Sequence, residues 1–205
     1  MTPTAYGATL DFHRLLQQDL PAKDNADFED AKRGFVGTLS NAEVKRSGEG
    51  EQVRQTIWSH RAYSFLEDET PASTVNPSLW RQARLNLNHG LFKVTERIYQ
   101  VRGFDIANIT FIEGDTGLIA IDCLSCADTA AAALALYHQF RDPEHKRVLH
   151  TVMYSHSHGD HFGGVRGLVN EVDVRTGKVS AIAPAGSMHL AVADNVNAGG
   201  AMARR

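Results

Sequence analysis

The apolar run Val148 to Tyr154 ends directly in Ser155-His156-Ser157-His158-Gly159-Asp160-His161. A short apolar run bounded by polar residues reads as a buried strand, and the residues after it mark which end carries a site. Three imidazoles and one carboxylate fall within six residues, and these are the nitrogen and oxygen donors that zinc and similar divalent ions take. In extended backbone, side chains at i and i+2 point the same way, so His156 and His158 can grip one ion together. The chain then turns at Gly159 and offers Asp160 and His161 to a second ion beside the first. Gly163 and Gly164 let backbone pass close to the cluster. The competing reading is a coincidental polar loop in a chain with ten histidines, but scattered histidines seldom fall into ligand spacing after a strand.

Around that strand the pattern is α/β. Gly90 to Val94 and Arg97 to Arg102 carry strand formers, and Asn108 to Glu113 and Leu118 to Asp122 flank a Gly114-Asp115-Thr116-Gly117 hairpin turn. Ala127 to Phe140 is alanine-rich and helical, with Pro143 just beyond its end. After the ligand strand come a helix from about Gly164 to Val169, a turn at Arg175 to Lys178, a strand over Val179 to Ala183 and a last helix from Met188 to Asn197. The site therefore sits at the carboxyl end of a strand, where such sheets commonly place ligands.

Residues 1–75 are polar and weakly patterned and read as an N-terminal arm packing on the core, which occupies residues 76–205. Asp24 to Arg33 suits a short helix capped by Asp24 or Asn25. Ser47 to Glu51 is a flexible turn, and Trp58, Tyr63 and Phe65 mark an extended segment. Asn76-Pro77-Ser78 offers a helix start, with Leu79 to Leu87 as the helix.

Length and composition narrow the function. At 205 residues the chain can build a proper core, and a net charge of -3 with dispersed Lys and Arg argues against a nucleic-acid partner. No segment approaches the roughly 18 uninterrupted apolar residues of a membrane span. Met1 to Asp11 lacks the basic start and apolar core of a secretory signal. The expectation is a cytoplasmic protein as written, or a periplasmic or secreted one if Met1 is not the native start. Cys123 and Cys126 have the spacing of a dithiol redox site before a helix, or are two small residues buried at a strand-to-helix corner.

Histidine and carboxylate donors leave coordination positions open for water and substrate, and a bound metal lowers the pKa of water to about 7. Such a site suits hydrolysis of esters, amides, thioesters, phosphoesters or sulfate esters. Asp160 is the candidate catalytic residue, holding the attacking hydroxide while ligating the second ion. Asp122 ends the preceding strand and is placed either to fix a ligand imidazole through its second ring nitrogen or to cap the next helix. His189 reads chiefly as a surface or core histidine, with a further ligand as the lesser alternative, and lining the cleft is the lesser reading of His89. His150 reads as structural, and His13, His60, His138 and His145 as surface residues.

His156-x-His158-x-Asp160-His161, after an apolar strand and before Gly163-Gly164, resembles the signature of the metallo-β-lactamase superfamily. The blocks Asp27 to Phe35, Asn76 to Gln82, His89 to Val94, Ile98 to Gly103, Asn108 to Gly114, His161 to Gly167 and Ala183 to Gly186 resemble its linear alkyl sulfatases. The resemblance implies an αββα sandwich, of which this chain would be the N-terminal part with its arm. It implies zinc, two ions per complete site, with His156 and His158 on the first and Asp160 and His161 on the second. It implies hydrolysis of small-molecule alkyl sulfates, detergent-like ones included, to alcohol and sulfate, and a homodimer at full length. The family's remaining zinc ligands, sulfate-binding residues, helical dimerisation domain and sterol-carrier-like domain have no counterpart before Arg205. Four donors shared by two ions leave each about two short of a tetrahedral shell, so a chain of these residues alone is expected to bind metal weakly and turn over poorly. The alternatives are a thioester or lactone hydrolase of the same superfamily, or a metal-binding remnant without turnover.

Overall fold

The hairpin, the alanine-rich helix and the histidine-bearing strand all form, and together they build one mixed sheet. The computed structural model describes residues 4–19, 25–48, 55–144 and 146–202. They divide into two bodies, residues 1–33 with 60–88, and residues 34–59 with 89–205.

The first body is helical. It contains α1 (Gly7–Asp19), α2 (Ala26–Lys32), a 3-10 helix over His60–Glu67, and α3 (Pro77–Leu85). The start of α3 follows from its sequence: the Asn76 side chain accepts from the Ser78 amide at 2.9 Å, and Pro77 supplies a preset φ at the first turn. Trp80 on α3 is buried and donates its indole N–H to the carbonyl of Asp68 at 3.0 Å. Arg81 pairs with Asp27 at 2.7 Å and stacks over Phe28, as does Arg84. At the start of α2, Asn25 occupies the cap position without a side-chain bond, and Asp24 lies outside the described residues. Tyr63 and Phe65 sit in the 3-10 helix rather than in an extended segment, and residues 49–51 of the expected flexible turn are outside the described residues.

The second body holds a seven-stranded sheet made of β1 (Phe35–Gly37), β4 (Gly90–Thr95), β5 (Ile98–Arg102), β6 (Ile109–Glu113), β7 (Leu118–Ile121), β8 (Leu149–Met153) and β9 (Ser180–Ile182), in that spatial order. β2 (Glu43–Lys45) and β3 (Thr56–Ser59) form a separate antiparallel pair. β1 to β7 pair antiparallel within the large sheet, whereas β8 lies parallel to β7 and to β9. The parallel step requires a crossover, and α4 (Ala127–Arg141) provides it.

Alternation along the strands explains which face α4 covers. Tyr99, Val101, Ile109, Phe111, Leu118, Ala120, Leu149 and Val152 are buried on one face, with Ala133, Leu136 and Tyr137 of α4 in the same core. Tyr137 stacks on Phe111 with ring centroids 5.1 Å apart. Each such large side chain contributes about 1.5–3 kcal/mol by leaving water. At the edge of this core the buried Glu113 carboxylate accepts from the Tyr137 hydroxyl at 2.9 Å and from Arg141 at 2.7 and 3.1 Å. On the opposite face Ile98, Ile112, Ile119, Ile121 and Met153 are only half-buried. There a polar ladder runs from Arg102 to Gln100 at 2.7 Å and on to Thr110 at 3.1 Å.

Beyond β8 the chain is more broken than its pattern predicts. α5 (Gly159–Phe162) takes up the histidine turn itself, and a single 3-10 turn, Val165–Gly167, replaces the expected helix. α6 (Glu171–Arg175) is unanticipated, capped by the Asn170 side chain on the Asp173 amide at 2.8 Å. α7 (Ser187–Val192) runs into a π-helical turn over Ala193–Asn197, and α8 (Gly199–Met202) follows.

Candidate metal centre

Parallel pairing brings the carboxyl ends of β7 and β8 side by side, and each delivers one half of a polar cluster. From β7 comes Asp122, in left-handed backbone at φ 61°, followed by buried Cys123 and by Leu124, also at φ 61°. Such backbone costs an L residue roughly 1 kcal/mol or more and turns the chain sharply into α4. From β8 come Tyr154, whose amide donates to Ile182 at 2.9 Å, and then Ser155 to His161.

Glycines let the two loops interlock. The Cys123 amide donates to the carbonyl of His161 at 2.8 Å, and the Gly164 amide to that of Leu124 at 2.9 Å. A Cβ on Gly164 would stand 2.6 Å from the Cys126 carbonyl oxygen and closer still to that of Cys123. Gly163 and Gly167 face the carbonyls of Ser125 and Ala127 with as little room. A third segment is pinned to the same corner by Asp105, a buried carboxylate that accepts from the Ser125 amide at 3.0 Å, the Ser125 hydroxyl at 2.6 Å and the Thr129 hydroxyl at 2.7 Å.

On this base the side chains converge pairwise. His156 Nε2 lies 3.0 Å from His158 Nδ1, as expected of an i, i+2 pair in extended backbone. The His161 ring, carried on α5, comes within 4.0 Å of the His156 ring centroid to centroid. Its Nε2 is 3.2 Å from Asp160 and its Nδ1 is 2.8 Å from Asp122. Asp122 also accepts from the Ser155 amide at 2.8 Å and the Ser155 hydroxyl at 2.9 Å. All four candidate ligands thus gather at one corner, with Asp122 beneath them. His189 lies exposed on α7, His150 braces the hairpin through the Thr116 carbonyl at 3.1 Å, and His89 is half-buried just before β4. His145 is outside the described residues.

The cysteines belong to the packing. Burial, with the neighbouring Asp122 charge, pushes the Cys123 thiol up to about 12, far from the reactive thiolate range. Cys126 holds the cap position of α4 with its sulfur 3.3 Å from the Thr129 hydroxyl. Burial likewise pushes the Tyr154 phenol up to about 12, so it stays neutral.

The sequence model of the metallo-beta-lactamase superfamily matches residues 102–201, the stretch that carries this corner. The chain belongs to the metallo-β-lactamase superfamily. Its similarity there lies with the alkylsulfatases, and with their N-terminal portion. It is 50% identical to the alkyl/aryl-sulfatase BDS1 of Saccharomyces cerevisiae over 97% of this chain and 29% of that protein. It is 52% identical to an (R)-specific secondary-alkylsulfatase of a Pseudomonas species over 92% of this chain and 27% of that protein. Among solved structures, the sec-alkylsulfatase Pisa1 of Pseudomonas matches 100% of this chain and 31% of its own, at 48% identity and a TM-score of 0.88. The chain therefore spans less than a third of the length of these relatives.

Membership of this superfamily suggests a metal cofactor, and the donor chemistry at the corner suits one. His161 Nε2 lies 3.2 Å from Asp160 while its Nδ1 lies 2.8 Å from Asp122, and this nitrogen and oxygen pair is of the donor type a divalent ion takes. His156 Nε2 and His158 Nδ1 stand 3.0 Å apart, near the separation of about 3.3 Å that two nitrogens on one tetrahedral zinc would have. Among the described residues no group of three or more His, Cys, Asp or Glu side chains is arranged to hold one ion, so the fit lies in donor type and pairing. Among the described residues, no helix is long and apolar enough to cross a membrane.

Proposed function

We propose that this chain is the portion of a zinc-dependent alkylsulfatase that carries His156, His158, Asp160 and His161 as metal ligands, two on each of two ions. The observation that supports this most is the gathering of these four side chains at the paired ends of β7 and β8, in a chain 45–52% identical to alkylsulfatases. Zinc held there supplies a Lewis acid and an activated water for attack on a sulfate ester. The chain's own residues divide the remaining work. The imidazoles give neutral donors, Asp160 adds the negative charge and orients the attacking water, and Asp122 anchors His161. The substrate is a small alkyl sulfate, detergent-like esters included, cleaved to alcohol and inorganic sulfate. The full-length protein works as a homodimer.

Four donors for two ions leave both shells incomplete within these residues. Zinc titration of the chain should accordingly show weak binding that His156→Ala or His158→Ala lowers at least tenfold. Sulfate release from a medium-chain alkyl sulfate should be slow, zinc-dependent and lost in the same variants. Zinc binding unaffected by either substitution would overturn the ligand assignment. Zinc-dependent hydrolysis of a thioester in preference to the sulfate ester would overturn the substrate.

A further inference from the structure

The Ser155 hydroxyl stands between two partners, 2.9 Å from Asp122 Oδ2 and 2.9 Å from His156 Nδ1. The same carboxylate oxygen lies 2.8 Å from His161 Nδ1. An ionised carboxylate only accepts, and a hydroxyl has one proton to give. Giving that proton to Asp122 makes the charge-assisted bond, roughly twice as strong as a neutral one. The serine oxygen is then left as an acceptor facing His156 Nδ1, which must carry the proton. Reversing the hydroxyl would set its lone pairs against the carboxylate. His161 Nδ1 must carry a proton for the same reason, through direct contact. In the neutral imidazoles this leaves the lone pairs on Nε2, facing His158 Nδ1 at 3.0 Å and Asp160 at 3.2 Å.

We propose that Ser155 is a positioning residue that relays the Asp122 carboxylate to His156, so that one buried acceptor sets the tautomer of two metal-facing imidazoles. This rests on the metal reading given above, since the relay matters for the lone pairs it exposes. Ligand imidazoles generally have their second nitrogen held by a hydrogen-bond partner. Here one partner serves two rings, one directly and one through a hydroxyl. Asp122 lies 33 residues before Ser155 and 39 before His161, and the parallel pairing of β7 and β8 brings them together.

The test is nitrogen-15 NMR of the metal-free chain, labelled at histidine and held in alkaline buffer, on wild-type, Ser155→Ala, Ser155→Thr and Asp122→Asn. In the wild type His156 and His161 should both be protonated at Nδ1. Ser155→Ala should move the His156 proton to Nε2 and leave His161 unchanged, Ser155→Thr should restore the His156 signal, and Asp122→Asn should disturb both rings. Zinc affinity should fall 10–100-fold in Ser155→Ala and recover in Ser155→Thr. A purely structural serine would lower stability without moving the His156 proton, and that result overturns the relay, as does an Nε2-protonated His156 in the wild type. The tautomer signals decide the relay whether or not zinc binds, and a chain with the expected tautomers but no zinc affinity overturns the metal reading alone.

Discussion

Replacing Gly164 by alanine tests the claim that the site depends on two loops meeting backbone to backbone. The added methyl would stand 2.6 Å from the Cys126 carbonyl oxygen and 3.0 Å from the Ala130 methyl, with the Cys123 oxygen nearer still. An ordinary carbon–oxygen contact is about 3.3 Å, so the Cys126 oxygen must give by about 0.7 Å and the nearer Cys123 oxygen by more. Neither side yields easily, because Gly164 donates to Leu124, Cys123 donates to His161, and Asp122 and Leu124 are already in left-handed backbone. Overpacking of this kind costs about 1–3 kcal/mol, and losing one of the two tying hydrogen bonds adds about 1 kcal/mol. The expected loss is about 2–4 kcal/mol, a large part of a typical stability of about 5–15 kcal/mol. Urea unfolding at unchanged slope should show a lower midpoint, and the melting temperature should drop by about 4–16 °C. Gly200→Ala is the control, since nothing lies within 4 Å of its added methyl, and it should stay within about 0.5 kcal/mol of wild type. A Gly164→Ala chain as stable as that control would refute the interlock.

Two other outcomes follow from buried groups. Burial alone would raise the pKa of Glu113, but the hydrogen bonds from Arg141 and Tyr137 and the charges of Arg141 and Arg147 outweigh it and hold the carboxyl below its usual value. Its contribution is therefore complete above the unfolded carboxylate range and is lost as pH falls through the lower folded value. Glu113→Gln should cost about 2 kcal/mol at neutral pH and progressively less in acid, and a pH-independent difference in urea midpoint would contradict the network. A thiol reagent should label Cys126 in the native chain while Cys123, its pKa raised to about 12 by burial, reacts only on unfolding. Equal rates for both thiols would count against the packing role.

The elements that could be read from sequence are those whose signal is local. The hairpin, the alanine-rich helix with its downstream proline and the apolar ligand strand lie within a residue or two of their expected bounds. Asn76-Pro77 marked the start of α3 because the cap and the missing amide act within one turn. The side-by-side placement of His156 and His158 could be read likewise, since the period of an extended chain is enough to bring the two together. What sequence could not resolve depends on distant partners. The stretch from Gly159 to Gly167 breaks into short turns because three glycines must approach the loop at residues 123–127, which no local pattern records. Asp105 and Ser155 escaped notice for the same reason: their partners lie 20 or more residues away. Asp122 could be read two ways, and parallel pairing decides for the imidazole over the helix cap.

The left-handed backbone at Asp122 also limits how this position can vary. Glycine fits φ 61° but brings no acceptor, and glutamate carries its carboxylate one methylene away from the three donors that Asp122 meets at 2.8, 2.9 and 2.8 Å. Asparagine fits the backbone and replaces one carboxylate oxygen with a donor amide, in a place where three donors converge. Each single-residue escape fails one of the two requirements. The position is a mutational dead end, fixed by conformation and chemistry independently, and drift in this corner is confined to the residues around it.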